Sequence, residues 1–162
     1  MNFSPNTEGV LPNFSKNNQV NLKKMQIEMQ RIDGDFHFKA LGSDKIPVHI
    51  DAAADIGGTQ LGARPMELIL MGLGSCSAID VILILKKGRQ IVEDLKIIVE
   101  GDREDGKTPS PFINLRLKFI FKGNLKPEKV EQAIKLSMEK YCSVTIMLEK
   151  SATISWSFEI NE

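Results

Sequence analysis

Cys76 and Cys142 are the residues whose type and surroundings could do chemistry in this chain of 162 residues. Cys76 stands in Gly72-Leu73-Gly74-Ser75-Cys76-Ser77. The small residues on both sides leave room for another backbone or a substrate to approach the thiol. Ser75 and Ser77 are poor choices for a purely apolar core. Asp80, four residues on, falls on the same face of a helix, and a carboxylate buried there needs a partner. Against these signs stands the commoner role of cysteine as a small buried hydrophobe. The thiolate, not the thiol, is the nucleophile, so a catalytic Cys76 needs a cation nearby. The helix dipole cannot serve, because Cys76 lies well past the helix start at Pro65 and the dipole effect fades within the first turn. Arg31, Arg64, Arg103 and Arg116 are the candidate cations.

Cys142, in Glu139-Lys140-Tyr141-Cys142-Ser143, lies far downstream of Cys76. It ends a predicted amphipathic helix, an awkward place for a core cysteine. Two thiols far apart in sequence can meet in space, and a reversible disulfide is the use such a meeting would serve. The chain has no Cys-x-x-Cys, which excludes a thioredoxin-type motif. Glu67, one turn into a long helix, either complements the positive end of that helix or holds an arginine against the thiol. His37 and His49 fall on predicted strands with no cysteine or carboxylate at ligand spacing, so no metal site is expected. Gly57-Gly58 and Gly62 are not followed by Gly-Lys-Ser/Thr and form no phosphate loop.

The elements that must position these residues follow from periodicity. Met25, Ile27 and Met29 alternate with polar residues, predicting a half-buried strand over Lys24–Ile32. Asp33-Gly34-Asp35 is a hairpin signal, followed by a strand over Phe36–Ala40, a turn at Gly42-Ser43-Asp44 and a strand over Ile46–Ala52. A Gly-rich loop spans Asp55–Ala63, and Pro65 suits the first position of a helix reaching about Lys87. Strands are predicted over Ile91–Glu100 and Phe112–Phe121, with a polar loop between them at Asp102–Pro111. Pro127 opens a helix with Val130, Ile134, Ser137 and Tyr141 on one face. A short helix over Val144–Glu149 and a strand over Thr153–Ile160 complete an α+β fold.

The stretch Leu68–Leu85 holds a single charge, Asp80. Gly72, Gly74, Ser75, Cys76, Ser77 and Asp80 interrupt the run and argue against a membrane span. A helix apolar on nearly all sides must be buried in the centre of a protein. A chain this short has little else to wrap it, so a homodimer is expected. Lys plus Arg and Asp plus Glu number 21 each, which gives no electrostatic footprint for nucleic acid. Two cysteines exclude a disulfide scaffold and a four-thiolate zinc cluster. Residues 1–22 carry six asparagines and two prolines and read as a flexible arm before a domain over 23–162. They show no export signal, so a reducing cytoplasm is expected.

Pro65-Met66-Glu67-Leu68, Leu73-Gly74-Ser75-Cys76-Ser77-Ala78-Ile79-Asp80-Val81 and Leu136-Ser137-Met138-Glu139-Lys140-Tyr141-Cys142-Ser143 resemble motifs of the OsmC/Ohr family, the osmotically inducible and organic hydroperoxide resistance proteins. The likeness covers about residues 24–162. It implies an intertwined homodimer with two long central helices wrapped by antiparallel sheets and active sites at the subunit interface. It also implies a thiol peroxidase without metal or flavin cofactor. The thiol matching Cys76 takes oxygen from an organic hydroperoxide, and the thiol matching Cys142 resolves the sulfenic acid to a disulfide. A dithiol reductant, a lipoylated protein in the studied members, resets the pair. In those members a glutamate directly follows the proline and pairs with the arginine that activates the thiol. Here Met66 takes that place and Glu67 the next, about 100° further round the helix. Arg31, on an amino-terminal strand, and Arg103, in Glu100-Gly101-Asp102-Arg103, are the arginines that the resemblance points to. The shifted glutamate also motivates an alternative, a non-peroxidatic dimer that binds a small ligand or senses thiol state.

Overall fold

The computed structural model describes residues 22–161; the predicted arm over 1–22 lies outside them except for Leu22. The Asp33–Asp35 turn, with Gly34 at φ +54°, joins β1 (Glu28–Asp33) to β2 (His37–Leu41), and β3 (Pro47–Ile50) follows. The three form an antiparallel sheet in the order β1-β2-β3. Strand β1 is shorter than Lys24–Ile32 and is exposed along its length, Met29 included, and Met25 and Ile27 are uncovered in the segment before it. It is an edge strand, and among the described residues of one chain no element buries its apolar side.

The long helix α1 spans Pro65–Lys87, as the proline spacing predicts. Its start is built locally: Pro65 needs no N–H partner, and the Glu67 carboxylate accepts the Arg64 amide at 2.8 Å, satisfying one of the donors that a helix start leaves free. Lys86 and Lys87 occupy the last turn, where cations suit the dipole, and the Gly88 amide closes onto the Ile84 carbonyl at 2.9 Å. By length and hydropathy alone α1 could cross a membrane, at a mean hydropathy of 2.3. One side instead packs on protein, burying Leu73, Gly74, Ser77, Val81 and Leu85. The other side leaves Ile69, Met71, Ile79, Ile82 and Leu83 exposed.

Strands β4 (Asp94–Arg103) and β5 (Phe112–Lys122) pair antiparallel, and β6 (Thr153–Asn161) lies beside β5 in parallel. This mixed sheet departs from the all-antiparallel expectation. The segment between β5 and β6 crosses the sheet through helices α2 (Pro127–Leu136) and α3 (Ser143–Leu148), so the chain re-enters in the same direction. Strand β4 runs on to Arg103, past the predicted end at Glu100. In β5, Leu115, Leu117, Phe119 and Phe121 are all but inaccessible while Arg116, Lys118 and Lys122 face out. Each such apolar side chain contributes about 2 kcal/mol of transfer free energy. The core lies between this sheet and α1, α2 and the segment leading to α3.

The amphipathic helix predicted through Tyr141 breaks at Leu136. Ser137–Tyr141 form a π turn, closed by the Cys142 amide on the Ser137 carbonyl at 2.8 Å. The wider turn rotates Tyr141 out to 49% exposure and turns Cys142 inward. The expectation that the end of this helix makes a poor core position is thereby corrected: Cys142 is fully buried.

Candidate functional site

Helix α1 carries Cys76 and Asp80 one turn apart, and the π turn delivers Cys142 against them. The two sulfurs and an Asp80 carboxylate oxygen all lie within 4.8 Å of one another. Cys76 is half-buried and Cys142 inaccessible. The sequence offered the meeting of the thiols only as a possibility; the fold brings them together.

The surroundings of the thiols differ. Burial pushes the Cys76 thiol above its ordinary pKa; the Val144 amide works against this, and the neighbouring Cys142 and Asp80 reinforce it. Burial also opposes ionisation of Cys142, but it is outweighed by hydrogen bonds from the Ser77 and Thr145 hydroxyls, the Thr145 amide and the Cys76 thiol, so its pKa falls below the ordinary value. The Thr145 amide lies 3.4 Å from the sulfur. Ser77 Oγ is also 3.4 Å from it and 2.9 Å from the Leu73 carbonyl. A hydroxyl has one proton, so Ser77 donates to the thiolate only by releasing the carbonyl. Among the described residues of one chain no arginine is among the groups acting on the Cys76 thiol.

The predicted activating residues lie elsewhere. Glu67 is nine positions before Cys76 on one helix, about 13 Å along its axis. Its carboxylate pairs with Arg64, whose Nε donates at 2.9 Å, and with neither Arg31 nor Arg103. The pair holds Glu67 below its usual pKa, chiefly through the Arg64 guanidinium. Arg64, Glu67 and Arg103 share the wall of a cavity of about 720 Å³, otherwise mostly apolar and lined by Met29, Phe36, Phe38 and Phe112 among others. Arg103 Nε donates to the Ser110 carbonyl at 2.6 Å. Arg31 lies two residues beyond Met29 on β1, opposite Phe38 in register. Arg116 is held away from all of these by Asp102 and Glu100. Arg64, Glu67 and Arg103 thus gather at the amino-terminal end of α1, around a cavity that neither thiol lines.

Asp51 braces that side. It is 2% exposed and accepts the Thr59 hydroxyl at 2.7 Å, together with the amides of Ala52, Thr59 and Leu61. Led by the Thr59 hydroxyl and opposed by burial, these bonds hold its pKa down to about 2. The glycines of this loop serve close approach: a Cβ on Gly58 would meet the Ala52 oxygen at 1.9 Å, and one on Gly62 the Ile50 nitrogen at 2.4 Å. His37 and His49, unpromising by spacing, meet with Nε2 and Nδ1 2.9 Å apart, and His37 Nδ1 reaches Asp33 at 2.8 Å. Their ring centroids are 5.1 Å apart, so the nitrogens point at each other in a hydrogen bond and do not converge on a third atom.

Sequence reasoning missed Asp51, Thr145, Val144 and Ser137 in this region. Ser137 carries no local signal, because its partners come from α1, and the partners of Asp51 follow in an irregular loop without periodicity. Thr145 was legible as the third residue after a capping position, and Arg64 as the partner of Glu67 by the same spacing.

Comparison with known proteins places this geometry. A family model described as OsmC-like protein matches residues 57–157. Protein YhfA of Escherichia coli strain K12 is 47% identical over 97 residues, 59% of this chain and 72% of that protein. The crystal structure of a protein from Aquifex aeolicus VF5 superposes with a TM-score of 0.73 at 35% identity, covering 87% of this chain and all of that one. The organic hydroperoxide resistance protein OsmC of Legionella pneumophila shares the fold at a TM-score of 0.65 and 14% identity, over 85% and 98% of the two chains. The chain belongs to the family of OsmC-like proteins.

Proposed function

We propose that this protein is a thiol peroxidase acting on organic hydroperoxides, with Cys76 as the attacking and Cys142 as the resolving thiol. The observation that carries the reading is the pairing of a half-exposed thiol with an inaccessible one from a distant part of the sequence. Only Cys76 can meet a substrate. Its thiolate attacks the distal peroxide oxygen, the O–O bond breaks, and the alkoxide leaves as the alcohol after taking a proton. Cys142 then attacks the sulfenic sulfur, hydroxide leaves as water, and the sulfurs close from within 4.8 Å to about 2.05 Å. A dithiol reductant returns two electrons by exchange.

Cys76 is not activated within one chain, so the reading requires a second copy. The uncovered stripe of α1, with Ile69, Met71, Ile79, Ile82 and Leu83 exposed, is the surface such a copy would cover. A second α1 crossing antiparallel near Gly72, which faces open space, would bring its own amino-terminal turn towards Cys76. The mostly apolar cavity beside Arg64 and Arg103 suits a hydroperoxide with an apolar body. The experiment is hydroperoxide consumption in the presence of a dithiol: turnover by the wild type and none by Cys76→Ser is the expected result. Turnover surviving in Cys76→Ser refutes the reading.

The same cavity supports a second reading, a dimer that binds a small apolar ligand without turnover, because neither thiol lines it within one chain. Retention of such a ligand with no peroxide consumption would select it.

A further inference from the structure

The peroxidase reading gives Asp80 no role, yet its carboxylate is the third member of the thiol cluster. Among the described residues it forms no ion pair with a lysine, arginine or histidine. Its one hydrogen bond there is a long one, 3.4 Å from the Ser137 hydroxyl. A carboxylate beside two thiols opposes thiolate formation, so it hinders a peroxidatic cysteine. A cation between the three groups reverses that sign.

We infer that Cys76, Asp80 and Cys142 form a zinc site that exists only while the two thiols are reduced. Three observations carry it. The two sulfurs and the oxygen lie within 4.8 Å of one another. Around a tetrahedral ion with bonds of about 2.3 Å to sulfur and 2.0 Å to oxygen, the sulfurs stand about 3.8 Å apart and each about 3.5 Å from the oxygen, so from within 4.8 Å no contact closes by more than about 1.3 Å. Cys76 and Asp80 are four residues apart on one rigid helix, the spacing by which helical zinc motifs present two ligands from one face. The donor set, two thiolates and one carboxylate, is one that zinc accepts, and water completes four-coordination. The Thr145 amide, 3.4 Å from the Cys142 sulfur, hydrogen-bonds that sulfur as a thiolate ligand and helps to orient it.

Binding displaces the two thiol protons into solvent. A disulfide between Cys76 and Cys142 removes both sulfur ligands, so the oxidised protein lacks the site. The inference rests on the cluster geometry and goes beyond the peroxidase reading; it holds whether or not the pair reduces peroxides.

The test uses the full-length protein, reduced, stripped of metal and kept without oxygen or hydroperoxide. Zinc sulfate is titrated against a chromophoric chelator, and cobalt(II) serves as the spectroscopic probe. Expected are one zinc per chain with Kd below about 1 μM, a thiolate-to-cobalt charge-transfer band, and tetrahedral ligand-field bands. Asp80→Asn, which preserves shape, should weaken zinc at least about tenfold while leaving the circular dichroism spectrum and two titratable thiols. Cys142→Ser and the disulfide form should lose the site. Equal zinc affinity in Asp80→Asn, or in the disulfide form, overturns the inference, as does a cobalt complex without the charge-transfer band.

Discussion

The position of Cys76 depends on how closely α1 lies on β4, and one glycine sets that distance. Gly74 is buried two residues before Cys76. A Cβ built on it would lie 2.9 Å from a γ-methyl of Val99, with Ile97 at an ordinary 3.9 Å. Gly74→Ala therefore sets two effects against each other. Helix propensity favours alanine by about 1 kcal/mol. The overlap forces the helix or Val99 to yield by several tenths of an ångström, and overpacking of this kind costs about 1–3 kcal/mol. The net expectation is a loss of about 1 kcal/mol. Val99→Ala removes the obstructing methyls, so in that background Gly74→Ala should stabilise by about 1 kcal/mol, a coupling near ~2 kcal/mol. The assay is urea unfolding of the four proteins at one fixed concentration, which holds any association constant. Equal effects of Gly74→Ala in both backgrounds, within about 0.5 kcal/mol, would refute the claim that Val99 limits the approach.

In the native reduced protein an alkylating reagent should modify Cys76 first and Cys142 slower by about two orders of magnitude, because Cys142 waits for local opening; tryptic mapping over time checks the order. Asp51→Asn should flatten the acid limb of the stability curve. The folded pKa of about 2 lies below the unfolded value of about 3.9, so the stabilisation is complete above about pH 4 and lost as pH falls towards 2. Thermal melts across that range read it. Glu67→Gln should destabilise by less than about 1 kcal/mol, because Arg64 and Glu67 are 58% and 38% exposed at the side chain. If the second copy supplies the activating pair, it should still slow peroxide consumption. Truncation of Phe119, fully buried in β5, should cost about 3–5 kcal/mol in urea unfolding.

Much of this arrangement was legible in the sequence. Pro65 and the apolar run after it predict α1 to its last residue, and the alternation of Leu115, Leu117 and Phe119 predicts β5. Periodicity failed where partners come from elsewhere in the chain. It gave β1 a buried face that a single chain does not cover, and it carried the second helix through Tyr141 because a π turn leaves no mark in a helical repeat. That same turn buries Cys142. The parallel placement of β6 depends on the helical crossover, which strand composition does not encode. At the site, Cys76 and Cys142 were visible as types and their meeting was not. Glu67 was visible, but its partner Arg64 was passed over for arginines further away, although the spacing of a helix start joins them.

The central claim is that Cys76 takes oxygen from a hydroperoxide and Cys142 resolves it. Intact mass after mixing the reduced protein with about one equivalent of cumene hydroperoxide tests it most directly, with Cys76→Ser and Cys142→Ser alongside. The account predicts loss of two hydrogens in the wild type within seconds, gain of one oxygen in Cys142→Ser, and no change in Cys76→Ser. An unchanged wild type after minutes, or oxygen gained by Cys76→Ser at the wild-type rate, would contradict it.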